Sequence, residues 1–481
     1  VVDITHDETA IAPKPQILDA RTRRLLEGPI VATLLRMSAP NILVMVAQAS
    51  TGLIETYFVG KLGIDALAGV ALVFPGLMLM QMMSAGAMGG GISSGIARAL
   101  GAGRRADADS YVLHSLVISA VLGIAFTLCF VGGGGWIYAT MGGDGGSLKA
   151  ALAYSDIVFG AAIVVWIFNA LANVIRGTGN MLVPAWVTCG GIAFLVPLSP
   201  CLIFGLGPFP RLGVAGGAVA VVLYYAGGAI VLAYYLWSGR SMLTPRLLGV
   251  PLRWAHFREI LRVGAVAAIS TVQTNLTVAA TTGLVGAFGP GAIAGYGVGS
   301  RLEYLLVPLV FGMGGPLVAL VGTNIGAKRP HRAMSVAWIG AAASFLLTEA
   351  IGLTAATFPH AWLALFGSDP AMLAAGEAYF HAVGPFYGFF GGGMALYFAS
   401  QGAGRLLWPL IGGTMRLGIA VLGGWLALRW FADLGAVFLA LGVAIGVYGI
   451  VTALAIAGGA WFGRPNLATL RRALTQGGTS R

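Results

Sequence analysis

Along most of the chain the apolar positions fill long unbroken runs, with no alternation and no single polar face. Short stretches rich in Gly, Pro, Arg and Asp separate the runs. A helix needs about 20 apolar residues to cross a bilayer. The pattern therefore predicts twelve helices, over 36–58, 64–89, 107–132, 147–173, 180–206 and 213–238, then 259–286, 291–319, 333–358, 371–400, 406–430 and 434–461. A transmembrane barrel needs alternating strands of about 10 residues, and these runs neither alternate nor stop so early. The expectation is an all-α integral membrane protein of twelve transmembrane helices in two six-helix lobes. Its expected parts are an N-terminal arm (1–35), an N-lobe (36–238), a polar inter-lobe linker (239–258), a C-lobe (259–461) and a tail (462–481).

The two sets of six repeat each other. Phe58-Val59-Gly60 to Gly69 matches Leu284-Val285-Gly286 to Gly295 at an offset of 226. Gly101-Ala102-Gly103-Arg104 matches Gly326-Ala327-Lys328-Arg329 at 225, and Arg176-Gly177-Thr178-Gly179 with Pro184 matches Gln401-Gly402-Ala403-Gly404 with Pro409, again at 225. Six helices per copy bring both copies in from the same side, so the lobes are related by a pseudo-twofold axis along the membrane normal. That construction leaves a cleft between lobes.

Charge orients the bundle. Of 28 Lys and Arg, 22 fall in the arm, the even-numbered loops and the tail. Lys61, Lys149, Arg211 and Arg429 flank the other loops, while Arg301 and Arg416 lie inside helices. Basic loops face the cytoplasm, so both termini are expected there, in a multi-pass protein of the plasma (inner) membrane. Only 9% of residues are charged against 58% hydrophobic, a composition solvated by lipid. The net charge of +11 is spread through loops, and no nucleic-acid motif accompanies it. Cys129, Cys189 and Cys201 sit in apolar runs without metal-ligand spacing and read as core residues. Residues 1–29 lack the order of a cleavable signal and read as a cytoplasmic arm.

One stretch carries most of the chemistry, Glu55-Thr56-Tyr57-Phe58-Val59-Gly60-Lys61-Leu62-Gly63-Ile64-Asp65-Ala66-Leu67-Ala68-Gly69. It resembles the Asp-x-x-x-Val-Gly-x-Leu-Gly-x-x-Ala-Leu-Ala signature of the multidrug and toxic compound extrusion (MATE) transporters. Gly101-Ala102-Gly103-Arg104-Arg105, Arg176-Gly177-Thr178-Gly179, Gly213-Val214-Ala215-Gly216, Ser300-Arg301-Leu302-Glu303 and Gly326-Ala327-Lys328 are similar to that family's later motifs. The resemblance implies a secondary-active antiporter that exports organic cations or amphipathic drugs by alternating access. It implies no enzyme activity and no cofactor, and no Gly-x-x-x-x-Gly-Lys-Ser/Thr loop is found. The implied coupling ion is H+, with Na+ left open; the implied partners are the drug and the bilayer, and a monomer is expected. In the family's DinF-like branch one carboxylate lies in helix one and a second in helix five. Glu55 takes the first position, and Ser199-Pro200 stands where the second acid would be. Tyr154 and Asn169 match that N-lobe polar cluster. The NorM-like branch has a Glu in helix seven, where this chain has Thr274. Arg301 and Glu349 resemble a C-lobe charged pair of the DinF-like branch.

The residues themselves support these sites to different degrees. Gln48, Thr51 and Glu55 share one helical face that would look into the lobe. Glu55 reads either as the coupling acid, taking up and releasing an ion as its surroundings open and close, or as a helix-end acid in water. Arg301, Glu303 and Glu349 sit inside helices, where an unpaired charge costs about 3 kcal/mol or more; they are expected to form a charged network, structural or functional. Gln273, Thr274 and Asn275 read as inter-helix hydrogen bonding or cleft lining, with Tyr387 a further cleft candidate among the helix-ten aromatics. Glu377 and Asp156 read as helix caps. Two alternatives stand beside drug export. A lipid-linked oligosaccharide flippase of related fold would need a more cationic cavity than Arg301 and Arg416 supply. A membrane-embedded enzyme would need a polar catalytic cluster.

Overall fold

The computed structural model describes residues 19–246, 249 and 251–462. The outer parts of the arm and tail, with Lys14, Arg464, Arg471, Arg472 and Arg481, lie outside the described residues. Every regular element among the described residues is helical. Ten helices are long and apolar enough to cross a bilayer, and a bent pair makes eleven when counted as one span.

The first half begins with a short helix, α1 (Ala20–Glu27), followed by α2 (Ile30–Gly60). Next come α3 (Ile64–Gln81), a π-helical stretch Met82–Met88, and α4 (Gly89–Gly101), which together form one 38-residue run. Then follow α5 (Arg105–Thr140), α6 (Gly145–Gly160), α7 (Ala162–Gly177), α8 (Leu182–Phe204) and α9 (Val214–Trp237). The second half holds α10 (Trp254–Gly286), α11 (Pro290–Gly326), α12 (Pro330–Thr357), the short α13 (Pro359–Leu363), α14 (Pro370–Val383) and α15 (Tyr387–Ala403). It ends with α16 (Leu407–Gly418), a π stretch Ile419–Gly423, α17 (Gly424–Trp430) and α18 (Leu434–Ala457).

Several expected helices are longer or more broken than predicted, each for a local reason. The expected 147–173 helix is α6 and α7, bent by 49°. At that bend Thr127 of α5 donates to the carbonyl of Phe159 at 2.7 Å, giving the interrupted ladder another donor. The expected 371–400 helix divides at a 3-10 turn, Gly384–Phe386, into pieces of 14 and 17 residues. Pro385 sits in that turn; it lacks an N–H and disfavours α geometry in the residue before it. By contrast α11 continues as one helix through Pro308 and Pro316. The expected caps also move. Asp369 caps α14, accepting from the Met372 N–H at 2.8 Å, and Asp144 makes a capping box at α6. Glu377 and Asp156 fall inside α14 and α6, well past the first turn, and Glu377 pairs with His360.

Within a bilayer, helices associate through close packing and polar contacts more than through water exclusion. One buried cluster joins α3 to α9 around Trp166, Tyr111 and Phe159, with Phe130 stacked on Phe159 at 4.1 Å. Another joins α11, α14, α15 and α18 around Tyr379, Phe380 and Phe438. The halves meet where glycines let backbones touch. A methyl group on Gly101 would strike the carbonyl oxygen of Thr323, and one on Gly326 would strike that of Arg98. A methyl group on Gly91 would lie only 2.6 Å from the Ile260 carbonyl oxygen, and Asn41 of α2 donates to the Gly312 carbonyl at 3.0 Å.

The end of the molecule where these contacts lie also gathers the loops with most of the Lys and Arg. Arg98 reaches Glu259 at 3.0 Å, and Glu27 reaches Arg329 at 3.8 Å. Part of the expected arm is thus a docked helix. Leu25 of α1 packs on Gly179 of the first half, while its carbonyl accepts from Asn324 of the second at 3.2 Å.

Candidate functional site

Glu55 lies five residues before the end of α2, on the helix that begins the first half. Its Oε2 accepts a hydrogen bond from the Ser199 hydroxyl at 2.9 Å. Its Oε1 is buried and has no hydrogen-bond partner among the described residues. Gly217 of α9 adjoins the group: a Cβ there would lie at ordinary contact distance, 3.6 Å from Glu55 Oε2 and 3.7 Å from Cε2 of Tyr154. The structure therefore brings together Glu55, Ser199 and the buried ring of Tyr154.

Asn169 belongs to an adjoining set. Its Nδ2 donates to Ser84 Oγ at 2.8 Å and to Gln81 Oε1 at 3.3 Å, and the Tyr225 hydroxyl also donates to Gln81 at 3.3 Å. Asn173, one turn on, donates to the carbonyl of Ala85 at 3.3 Å. From the other half, Gln401 Nε2 donates to the carbonyl of Gly86, also at 3.3 Å. Both acceptors lie in the π-helical stretch. A π segment breaks the regular i to i−4 pattern of the ladder and so presents carbonyls to outside donors. Gln81, Ser84, Asn173, Tyr225 and Gln401 escaped the sequence reading. The signals present were the isolated amides of Gln81 and Gln401 in apolar surroundings and the i, i+4 pair Asn169 and Asn173.

The remaining helix-one candidates are less engaged. Thr51 bonds the Ala47 carbonyl of its own helix at 2.8 Å, and Gln48 is half-buried. In α10, Gln273 Nε2 donates to Thr414 Oγ1 at 2.7 Å, a cross-helix bond to α16. Thr274 and Asn275 are exposed, and each bonds a backbone carbonyl one turn back.

Among the described residues the expected C-lobe charged network does not form. Residues 301 and 303 are two apart on a helix, and so about 200° around its axis. Arg301 is exposed, with its guanidinium 5.6 Å from the ring centroid of Phe366. Glu303 accepts instead from the Tyr379 hydroxyl, to which the buried Tyr387 hydroxyl donates at 3.5 Å. Glu349 of α12 accepts from the Gly388 N–H at 2.6 Å. That N–H is in the first turn of α15, which the break at Gly384–Phe386 leaves without a partner in its own helix. Each acid is satisfied by a different donor. Arg416 is the buried arginine of this half, with its guanidinium 5.5 Å from the ring centroid of Phe390.

Among the described residues no group of three His, Cys, Asp or Glu converges as a metal site would. What the structure offers is a half-buried acid with one sealed carboxylate oxygen, in a many-spanning helical protein of two like halves, the construction of a membrane carrier.

The MatE family profile matches residues 40–201 and again 267–426, and the chain belongs to this family of transporters, which are not enzymes. It is 26% identical over 353 residues to the FAD transporter of Shewanella oneidensis, covering 73% of this chain and 77% of that one. It is 27% identical over 380 residues to the probable multidrug resistance protein NorM of Thermotoga maritima, covering 79% and 81% respectively. A solved structure of MATE in the bent conformation overlays with a TM-score of 0.84 at 23% identity, covering 91% of this chain and 96% of that one. The two matched segments repeat the duplication visible in the sequence.

Proposed function

We propose that this protein is a secondary-active multidrug efflux antiporter of the DinF-like type, exporting organic cations or amphipathic drugs in exchange for protons. The observation that carries the reading is the Glu55 carboxylate, held by Ser199 through one oxygen while the other is sealed and unpartnered. A buried ionised carboxylate in that setting is costly, and uptake of a cation at the free oxygen removes the cost. A proton suits the place better than sodium, because Glu55 has one hydroxyl beside it and a metal ion needs several oxygen ligands. The exposed Thr274 supports the same choice, since helix seven then lacks the acid of the sodium-coupled branch.

In this cycle the described conformation has its lobes closed at the end rich in Lys and Arg, which we assign to the cytoplasm together with both termini. A proton arriving from the other side neutralises Glu55, the N-lobe rearranges, and drug leaves. The lobes then rock open toward the cytoplasm and release the proton. The similarity to the FAD transporter of Shewanella oneidensis supports a second cargo class, a flavin dinucleotide.

Proteoliposomes with proton and sodium gradients imposed separately test the reading, with ethidium, norfloxacin and FAD as cargo. Ethidium efflux should follow the proton gradient and disappear in Glu55→Gln. Undiminished, gradient-dependent efflux by Glu55→Gln would remove Glu55 from coupling, and flux driven by sodium alone would replace the ion. FAD flux without ethidium flux would replace the cargo.

A further inference from the structure

At the end where the halves touch, a pocket of about 610 Å³ opens between α4, the first turns of α10 and the turn after α15. Its lining brings Arg98, Arg258, Arg262 and Arg405 together with a single acid, Glu259. Arg98 is engaged within the protein, by Glu259 at 3.0 Å and by the Gly402 carbonyl at 2.9 Å. Glu259 also accepts from the Tyr111 hydroxyl. Arg258, Arg262 and Arg405 make no ion pair and no side-chain hydrogen bond among the described residues. Three uncompensated guanidinium groups therefore share one concave site.

The helix that supplies two of them says what kind of anion fits. Trp254, Arg258 and Arg262 follow one another at four-residue spacing along one face of α10. The same face continues through Ile269, Val272 and Leu276, each about half exposed. An indole and arginines at one end of the face, followed by a bare apolar stripe, is the change met on passing from the headgroup region into the acyl chains. A soluble phosphate would use the arginines and leave the stripe without a purpose.

We propose that this pocket binds a phosphate diester, the headgroup of an anionic phospholipid whose acyl chains lie along the exposed face of α10. Guanidinium groups hold phosphate oxygens through paired, charge-assisted hydrogen bonds, and basic pockets between membrane helices are suited to anionic headgroups. Arg98 comes from the first half and the other arginines from the second. A headgroup seated among them bridges the seam and favours the conformation in which the halves touch at this end.

Native mass spectrometry of the full-length protein in detergent tests the assignment, with phosphatidylglycerol, phosphatidylcholine and inorganic pyrophosphate as probes. The wild type should retain phosphatidylglycerol in preference to phosphatidylcholine. Arg258→Gln/Arg262→Gln/Arg405→Gln should bind it about 100-fold more weakly, from about fivefold per arginine near a membrane surface. If the triple variant does not fold, Arg405→Gln alone, in a turn between helices, should show the fivefold loss. Equal retention of phosphatidylglycerol by wild type and variant overturns the site. Retention of pyrophosphate without phosphatidylglycerol overturns the lipid as its occupant.

Discussion

Gly101 and Gly326 hold equivalent positions on opposite sides of the seam between the halves, related by a twofold rotation. Gly101 lies against the carbonyl of Thr323, and Gly326 against that of Arg98. Both members of each contact are separated from their twins by the same 225 residues that separate the sequence repeats. A residue and its copy thus make the same contact from opposite sides, as helices crossing at a pseudo-twofold axis must. Gly322, packed on Ala97, lies between them at the crossing.

This crossing has no room for a side chain. Gly101→Ala or Gly326→Ala would push a methyl group into a backbone carbonyl, which cannot swing aside as a flexible side chain can. Overpacking of this sort costs about 1–3 kcal/mol. Each variant should lower the thermal midpoint of the detergent-solubilised protein, and by similar amounts because the contacts are reciprocal. Gly52→Ala, on an open surface of α2, serves as the control. Unchanged stability in both variants would mean that the halves do not meet this closely.

Among the described residues Ser199 gives Glu55 the one side-chain hydrogen bond that its carboxylate accepts. A hydrogen bond to a charged group contributes about 1.5–3 kcal/mol. Ser199→Ala should therefore weaken proton-driven ethidium efflux about tenfold or more without abolishing it, since the acid remains. The comparison with Glu55→Gln, which should lose efflux entirely, is made in the same vesicles. A Ser199→Ala variant as inactive as Glu55→Gln would give the hydroxyl an equal share in coupling, contrary to this arrangement.

The outline of this molecule was legible because a bilayer demands long apolar helices, and such runs are hard to hide. The duplication was legible for a related reason: glycines at Gly101, Gly326, Gly177 and Gly402 are held by backbone contacts that no side chain tolerates. Glu55 stood out as a charge in apolar sequence, and its approach to Ser199 agreed with the resemblance. The C-half charges misled because opposite signs on neighbouring helices invite pairing. Helical spacing alone already sets residues 301 and 303 on different faces. Nothing in local sequence marks the π stretch Met82–Met88, since its partners Asn169, Asn173 and Gln401 come from 85 to 315 residues away. Pro385 was a readable signal for the break in helix ten, outweighed by the apolar run around it.

Glu303 and Tyr379 offer a graded test of the C-half core. Tyr379→Phe removes the hydroxyl that Glu303 accepts from, leaving a carboxyl group short of a donor at a loss of about 2 kcal/mol. Tyr387→Phe removes a longer bond, 3.5 Å, between two hydroxyls, and should cost less than 1 kcal/mol. Thermal unfolding of the two single variants should rank them in that order. The reverse ranking would place the stabilising donor to Glu303 on Tyr387.

The final test separates Glu349 from Arg301. If the acid caps the first turn of α15, as its 2.6 Å bond to the Gly388 N–H requires, its loss strands a backbone donor at the break in helix ten. Glu349→Ala should cost about 1–2 kcal/mol, while Glu349→Gln keeps a carbonyl acceptor and should cost less. Among the described residues Arg301 pairs with neither acid and rests on Phe366. Arg301→Gln and Glu349→Ala should therefore add, with the double variant within about 0.5 kcal/mol of the sum of the singles. An ion pair predicts the opposite: once one partner is gone, removing the second costs little more. A double variant no less stable than either single one would restore the pair that the sequence invited and would contradict the cap.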